Sequence, residues 1–299
     1  MPIEAKQSKN ENWNFEVVSE RLNRADGSPA PMFANVRTDT NEILGYGTER
    51  YGIVQNSDLI ATAEQAFASR GIEWSKRNVY TTDNGAKLRA VYDLSGDMFK
   101  SDVPQVGDIM GYRLTVQNSF DRSLRVSFAM GLLRLVCANG MQTMEKDIDM
   151  VSKHSTKLDL SSLITPAALD KALASLKGST AVYGKLANVK LEEEQGLNIL
   201  TNLTDKKIIS DKLRERVAQI WNSRSEMLDS NNHDPNLYNL YNAVTQHLTR
   251  DVEDTRFEYA NRIGNNVLKQ FSLAADNKNR LTKLFASKVN PEGLVVSNN

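Results

Sequence analysis

A chain of 299 residues with 37 Lys and Arg against 37 Asp and Glu has no formal net charge, and its 40 % apolar and 25 % charged content is that of an ordinary globular protein. This length supports one large domain or two modest ones with a substantial core, which excludes disorder as the main state. Without a basic excess, a case for nucleic acid has to rest on where the charges lie.

No stretch approaches the ~18 uninterrupted apolar residues of a membrane span, and the polar start MPIEAKQSKNENW lacks a signal-peptide core. A soluble cytoplasmic protein with no membrane partner is expected. The single cysteine, Cys137, excludes an intramolecular disulfide, and His154, His233 and His247 are scattered without metal-ligand spacing. No metal and no cofactor are expected.

In chain order, the first half carries short β-rich runs broken by turn signals at Asp26-Gly27, Asn84-Gly85, Ser95-Gly96 and Gly107-Asp108. Residues 57–70 interrupt this pattern. Leu59, Ile60, Ala63 and Phe67 recur at helical spacing, Ser57 is the expected N-cap and Gly71 the stop. Strands are expected at 77–82, 87–94, 109–118 and 123–130. In the last two, Tyr112, Leu114 and Val116 alternate with Arg113, Thr115 and Gln117, while Leu124, Val126, Phe128 and Met130 alternate with Arg125, Ser127 and Ala129. The intervening residues 118–122 have hairpin length. An apolar tract then leads to a further turn at Asn139-Gly140.

Beyond about residue 161 helical patterns dominate. Thr165 and Pro166 open a helix that Gly178 is expected to close, and further helices are expected at 205–224, 236–248, 252–271 and 279–287. The pattern predicts an α+β protein: an antiparallel β-meander with one packed helix in residues 1–155, a helical region in 156–289 and a mobile tail in 290–299.

The search for catalytic patterns finds no P-loop, no dinucleotide fingerprint and no nucleophile elbow. Cys137 lies in an apolar run and reads as a small buried hydrophobe. Asp147 and Asp149, or Glu192-Glu193-Glu194, are acid groupings that could hold Mg²⁺, but acid runs are mostly solvated helix faces. The chain therefore reads as a non-enzyme, with a metal-dependent nuclease as the remaining enzymatic alternative.

Charge does concentrate locally. Between Ile109 and Met144 stand Arg113, Arg122, Arg125 and Arg134 against one acid, Asp121. If the strands pair as predicted, one sheet face presents Lys87, Arg89, Arg113, Thr115, Gln117, Ser127 and Arg125, with Arg122 in the adjoining turn. Guanidinium groups neutralise phosphates and stack on bases, and hydroxyl and amide groups add sequence-neutral hydrogen bonds. The bland alternative is a solvated sheet face.

The runs Val36-Arg37-Thr38-Asp39-Thr40, Leu44-Gly45 and Tyr51-Gly52-Ile53-Val54-Gln55-Asn56 resemble the opening of the phage and plasmid family known as domain of unknown function 932. Gln117-Asn118-Ser119, Leu135-Val136-Cys137-Ala138-Asn139-Gly140 and Tyr241-Asn242-Ala243-Val244-Thr245, with Gly264 and Leu268-Lys269 downstream, agree with it. Two departures stand out: Ser119-Phe120-Asp121-Arg122-Ser123 replaces a His-Asp-Gly-Ser hairpin, and Asn139-Gly140 replaces Asn-Thr. No role of that histidine carries over.

The resemblance implies a mobile-element accessory protein in the bacterial host cytoplasm. It also invites comparison with phage single-strand annealing proteins, whose core is a helix, an antiparallel meander and another helix. The leading expectation is thus a single-stranded-DNA-binding protein of the strand-annealing type. It would act as a homo-oligomer through the apolar stripe Tyr238, Tyr241, Val244 and Leu248. The rival is a counter-defence or regulatory module that binds a host protein.

Overall fold

The computed structural model describes residues 13–82, 84–103, 108–134, 142–144, 150–223, 233–250 and 257–286. Glycines in the left-handed region make the predicted turns at three of the four sites: Gly27 at φ 83°, Gly85 at 81° and Gly96 at 104°. The first joins β1 (Val17–Asn23) to β2 (Pro29–Arg37), and β3 (Ile43–Gly47) completes an antiparallel sheet in the order β1-β2-β3.

Helix α1 (Asn56–Ser69) follows, one residue earlier than the sequence pattern predicts. Its N-cap is Gln55, not Ser57, and the Gln55 side chain does not cap. That amide instead clamps the β1 backbone, accepting from Val17 N at 3.1 Å and donating to Val17 O at 2.7 Å. A long-range pair of bonds thus displaces the local capping preference. Gly71, at φ 61°, ends the helix as expected.

Strands β4 (Glu73–Thr81), β5 (Lys87–Ser95), β7 (Ile109–Ser119) and β8 (Val126–Arg134) form the predicted meander, extended by β10 (Val151–Ser152) to the order β10-β8-β7-β5-β4. Short β6 (Lys100–Asp102) pairs with β7, and β9 (Gln142–Met144) with β8. The α1 face of this sheet is apolar. Phe67, Trp74 and Tyr92 pack in tilted and edge-to-face contacts at 5.4 to 5.7 Å between ring centres, and the Tyr92 hydroxyl donates to Glu64 at 3.1 Å. Buried Asn118 on β7 ties in the start of α1 by donating to Val54 O at 2.8 Å and Asn56 Oδ1 at 2.9 Å.

The later chain is helical: α2 (Pro166–Ala187), α3 (Glu193–Asp205), α4 (Asp211–Asn222), α5 (Leu237–Arg250), α6 (Phe257–Ala275) and α7 (Lys278–Phe285). Helix α2 runs through Gly178, where the sequence predicts a stop. Its buried positions Leu169, Ala172, Leu176, Tyr183 and Leu186 continue on both sides, so packing overrides a glycine penalty of ~1 kcal/mol. The helix expected over 205–224 starts later, at Asp211, because Lys207 turns left-handed at φ 56° and Ser210 caps α4 by accepting from Leu213 N, while α3, which ends at Asp205, has no counterpart in the sequence-based expectation. The Glu192-Glu193-Glu194 run enters α3, with Glu192 N donating to Gln195 Oε1 at 2.9 Å.

The chain divides into two compact units that interleave in sequence. Unit 1 comprises residues 1–99, 111–131 and 145–176; unit 2 comprises 100–110, 132–144 and 177–299. Within unit 2, α5 is the central element. Every residue from 236 to 245 is buried, Tyr183 stacks on Tyr241 and packs against Tyr238, and the Tyr238 hydroxyl donates to buried Asp108 at 2.8 Å. The stripe assigned to self-association is therefore interior: Tyr238, Tyr241 and Val244 have no exposed surface and Leu248 is 5 % exposed. An amphipathic pattern marks a buried face without saying what covers it, and here α4 and α6 lie alongside.

Cys137, Asn139, Gly140, Asp147, Asp149 and the tail 290–299 lie outside the described residues. No helix among the described residues is long and apolar enough to cross a membrane.

Asn118→Ala leaves Val54 O and Asn56 Oδ1 without their donor. It should lower unfolding stability by ~1–3 kcal/mol in urea denaturation.

Candidate functional site

The turn between β7 and β8 is built by its own side chains. Asp121 Oδ1 accepts from the Ser123 amide and hydroxyl, Ser119 Oγ accepts from Leu124 N at 3.0 Å, and Arg122 takes a left-handed φ of 66°. This leaves Arg122 and Arg125 exposed. Three neighbouring segments then close on the turn.

From β2, buried Asn35 donates to Phe120 O at 2.7 Å. From β3, Gly45 lies so near that a Cβ there would stand 2.5 Å from Phe120 O and 2.6 Å from Asp121 Cα. After β3, Tyr51 donates its hydroxyl to Ser119 O at 2.8 Å, and Gly52 abuts the Ser155 carbonyl too closely for any side chain. Strand β10 supplies the last wall. Its register pairs Val151 with Ser127 and Ser152 with Val126, and continuing that register sets Lys153 opposite Arg125 and His154 opposite Leu124.

The result is a concavity of about 340 Å³ lined by Thr48, Arg50, Tyr51, Arg122, Leu124, Arg125, Lys153 and His154. Tyr51 and His154 stack at 4.9 Å with their planes 23° apart. Arg50, Arg122, Arg125 and Lys153 are exposed, no carboxylate lines the cleft, and none of these four cations forms an ion pair among the described residues.

Burial pushes the Tyr51 hydroxyl well above its ordinary value, reinforced by the nearby Asp121 charge, so it remains a proton donor. Burial also pulls His154 below its ordinary value, against opposing contributions from the backbone at Gly52 and Leu124 and from Asp121. Neither His154 ring nitrogen reaches a partner in good hydrogen-bond geometry, so those backbone groups act on the ring as weak, poorly aligned neighbours.

The sheet-face residues proposed from alternation fare differently. Arg113 is 14 % exposed and ion-paired with Asp93 at 2.5 Å. Thr115 is 2 % exposed, opposite buried Val91, and Gln117 accepts from Ser127 at 3.3 Å. Lys87 pairs with Asp121 at 3.7 Å, and Arg89 lies over the Tyr80 ring at 4.6 Å. The centre of this face is packed, so it is not an open polar track. Only Arg122 and Arg125 of the sequence-derived set reach the cleft.

Arg50, Tyr51, Lys153 and His154 were not legible from local pattern. The one pointer was the Tyr51-Gly52 pair inside a recognisable motif. Among the described residues, no group of three His, Cys, Asp or Glu side chains could hold a metal ion.

The family model described as Domain of unknown function (DUF932) matches residues 43–284. The chain belongs to this family. No curated protein and no solved structure matches it. In this DUF932 protein several motif residues have structural duties that explain their identity. Arg37 forks onto Asp39 at 2.7 and 2.9 Å and stacks on Phe15 at 3.8 Å, Asn56 donates to Trp13 O at 3.1 Å, and Thr245 bonds back to its own helix. Tyr51 is the motif residue that both anchors the fold and faces the cleft.

Because folding depresses the His154 pKa, the unfolded chain takes up this proton first on acidification. The stabilisation from neutral His154 is complete above the ordinary histidine value of ~6.5 and is lost as pH falls through the lower folded value. Thermal unfolding of the native protein should therefore weaken over this range, and His154→Gln should remove part of that dependence. Identical pH profiles for the two proteins would contradict the buried, neutral assignment.

Proposed function

We propose that the chain binds single-stranded DNA through the basic cleft of unit 1, as a non-enzymatic accessory protein of the strand-annealing type serving a phage or plasmid. The observation that carries this reading is the convergence of Arg50, Arg122, Arg125 and Lys153 on one concavity without a carboxylate in its lining. Phosphate groups are the natural counter-charge. Arginine offers them a planar fork of donors and lysine a mobile point charge. The stacked Tyr51 and His154 rings give the cleft an aromatic wall beside those cations, the combination that single-strand binders use.

The order α1, β4-β5-β7-β8, α2 is compatible with the helix, meander and helix of annealing proteins, which supports the reading by analogy of topology alone. Self-association in such a protein needs a surface other than the α5 stripe, which is interior. The DNA-binding surface likewise moves from the sheet face to the turn between β7 and β8 and the segments packed against it.

Gel-shift titration with single-stranded oligonucleotides of unrelated sequence tests the assignment. Arg50→Ala, Arg125→Ala and Lys153→Ala should each weaken binding to a similar degree on every sequence, and each should reduce the salt slope by ~0.7 for every phosphate no longer neutralised. Arg113→Ala serves as the contrast: it should lower stability and leave the slope unchanged. No shift at micromolar protein and low salt would overturn the proposal.

A further inference from the structure

Two features of the cleft do not suit a continuous track for a strand. It is short, at about 340 Å³, the low end of pockets that enclose a small ligand. It is also heavily charged, with four unpaired cations facing a space that would hold little more than one nucleotide, whereas an internal phosphodiester carries a single negative charge. These cations come from three segments far apart in sequence: Arg50 after β3, Arg122 and Arg125 in the turn before β8, and Lys153 after β10. A convergent arrangement surrounds a group from several sides, while a track meets successive groups along one line.

We propose that the cleft recognises a phosphate monoester, the terminal phosphate of a nucleic-acid strand. This rests on the single-strand reading above and adds the strand end as the point of attachment. A monoester carries about −1.5 to −2 charges near neutral pH and presents three acceptor oxygens, which suits several cations at once. Arg122 and Arg125 reach it from the turn, Lys153 from the segment after β10, and Arg50 from the loop that Tyr51 anchors by its bond to Ser119 O. The Tyr51 and His154 rings, stacked at 4.9 Å, form the wall against which the terminal sugar and base would rest. The same chemistry is offered by a free mononucleotide or by inorganic phosphate, so the test separates these sources.

The experiment uses the full chain and one internally labelled oligonucleotide sequence in three forms: 5′-phosphorylated, 3′-phosphorylated, and hydroxyl at both ends. Inorganic phosphate is titrated separately while the ring signals of His154 are followed by NMR. One phosphorylated end should bind about tenfold more tightly than the hydroxyl form, and inorganic phosphate should shift the His154 signals and erase that preference. Arg125→Gln and Lys153→Gln, both at exposed positions, should bring the ratio between phosphorylated and hydroxyl-ended strands toward one, with circular dichroism confirming that each variant is folded.

Equal binding of all three oligonucleotides, with His154 silent to phosphate, overturns the terminal-phosphate inference and leaves the single-strand reading standing. Binding of inorganic phosphate without binding of any oligonucleotide overturns both the strand-end attachment and the single-strand reading. Silence toward every probe overturns both.

Discussion

At Gly45 and Gly52 the backbone touches other backbone with no side chain between, and the walls of the cleft are placed by those two close approaches. Gly45 brings β3 onto the carbonyl of Phe120, which also accepts from Asn35, and Gly52 brings the following loop onto Ser155. A Cβ at either position would collide with main chain, which cannot rotate away as a side chain can. Between these two points Tyr51 spans the gap and bonds to Ser119 O. The turn, the loop and the segment after β10 are thereby held at fixed distances, and side chains on them inherit that placement. Arg50, Arg122, Arg125 and Lys153 can then be long and exposed while still facing one space.

The zero net charge of the chain conceals two populations of cations. Arg37, Arg113 and Lys87 each face a carboxylate and serve the fold, with Arg37 and Arg113 mostly buried. The four in the cleft face one another. Four like charges around one concavity repel, and the folded protein supplies no local acid in the lining to relieve them. Concentrated like charge of this kind is the local inconsistency that functional sites display. An anion in the cleft relieves it, so the repulsion and the proposed ligand are two views of the same electrostatics.

Unit 2 has a different logic, set by the enclosure of α5. The first nine residues of this helix, 237–245, are all buried, so most of its polar groups have to find partners inside. Asn239 and Asn242 bond along the helix, and Tyr238 reaches Asp108. Burial, reinforced by Tyr183 and Tyr238, holds the Tyr241 hydroxyl far above its ordinary range. The motif Tyr241-Asn242-Ala243-Val244-Thr245 is thus an interior motif. Its apolar residues pack the helix into the interior, while the Tyr241 hydroxyl and Asn242 Oδ1 are buried without a hydrogen-bond partner among the described residues.

The sequence by itself determined the α+β class, a helix over 57–70 within one residue of the observed one, the strands of the meander to within a few residues, and the local arginine excess between residues 109 and 144. Each is written in a short window: a period of two or near 3.6, a glycine at a turn, a run of like charges. Tertiary structure decided what those windows could not contain. Whether an alternating polar face meets solvent depends on what covers it, which buried Thr115 and paired Arg113 show; whether an apolar stripe meets another subunit depends on the helices around it, which the enclosure of α5 shows. Gln55 forsook capping for Val17, and α2 ran on through Gly178, because long-range packing and hydrogen bonds outweighed propensities of about 1 kcal/mol. Half of the cleft's cations, Arg50 and Lys153, stand far from the turn in sequence. The close approach of backbones at Gly45 and Gly52, together with the pairing of β10 with β8, brings them beside Arg122 and Arg125.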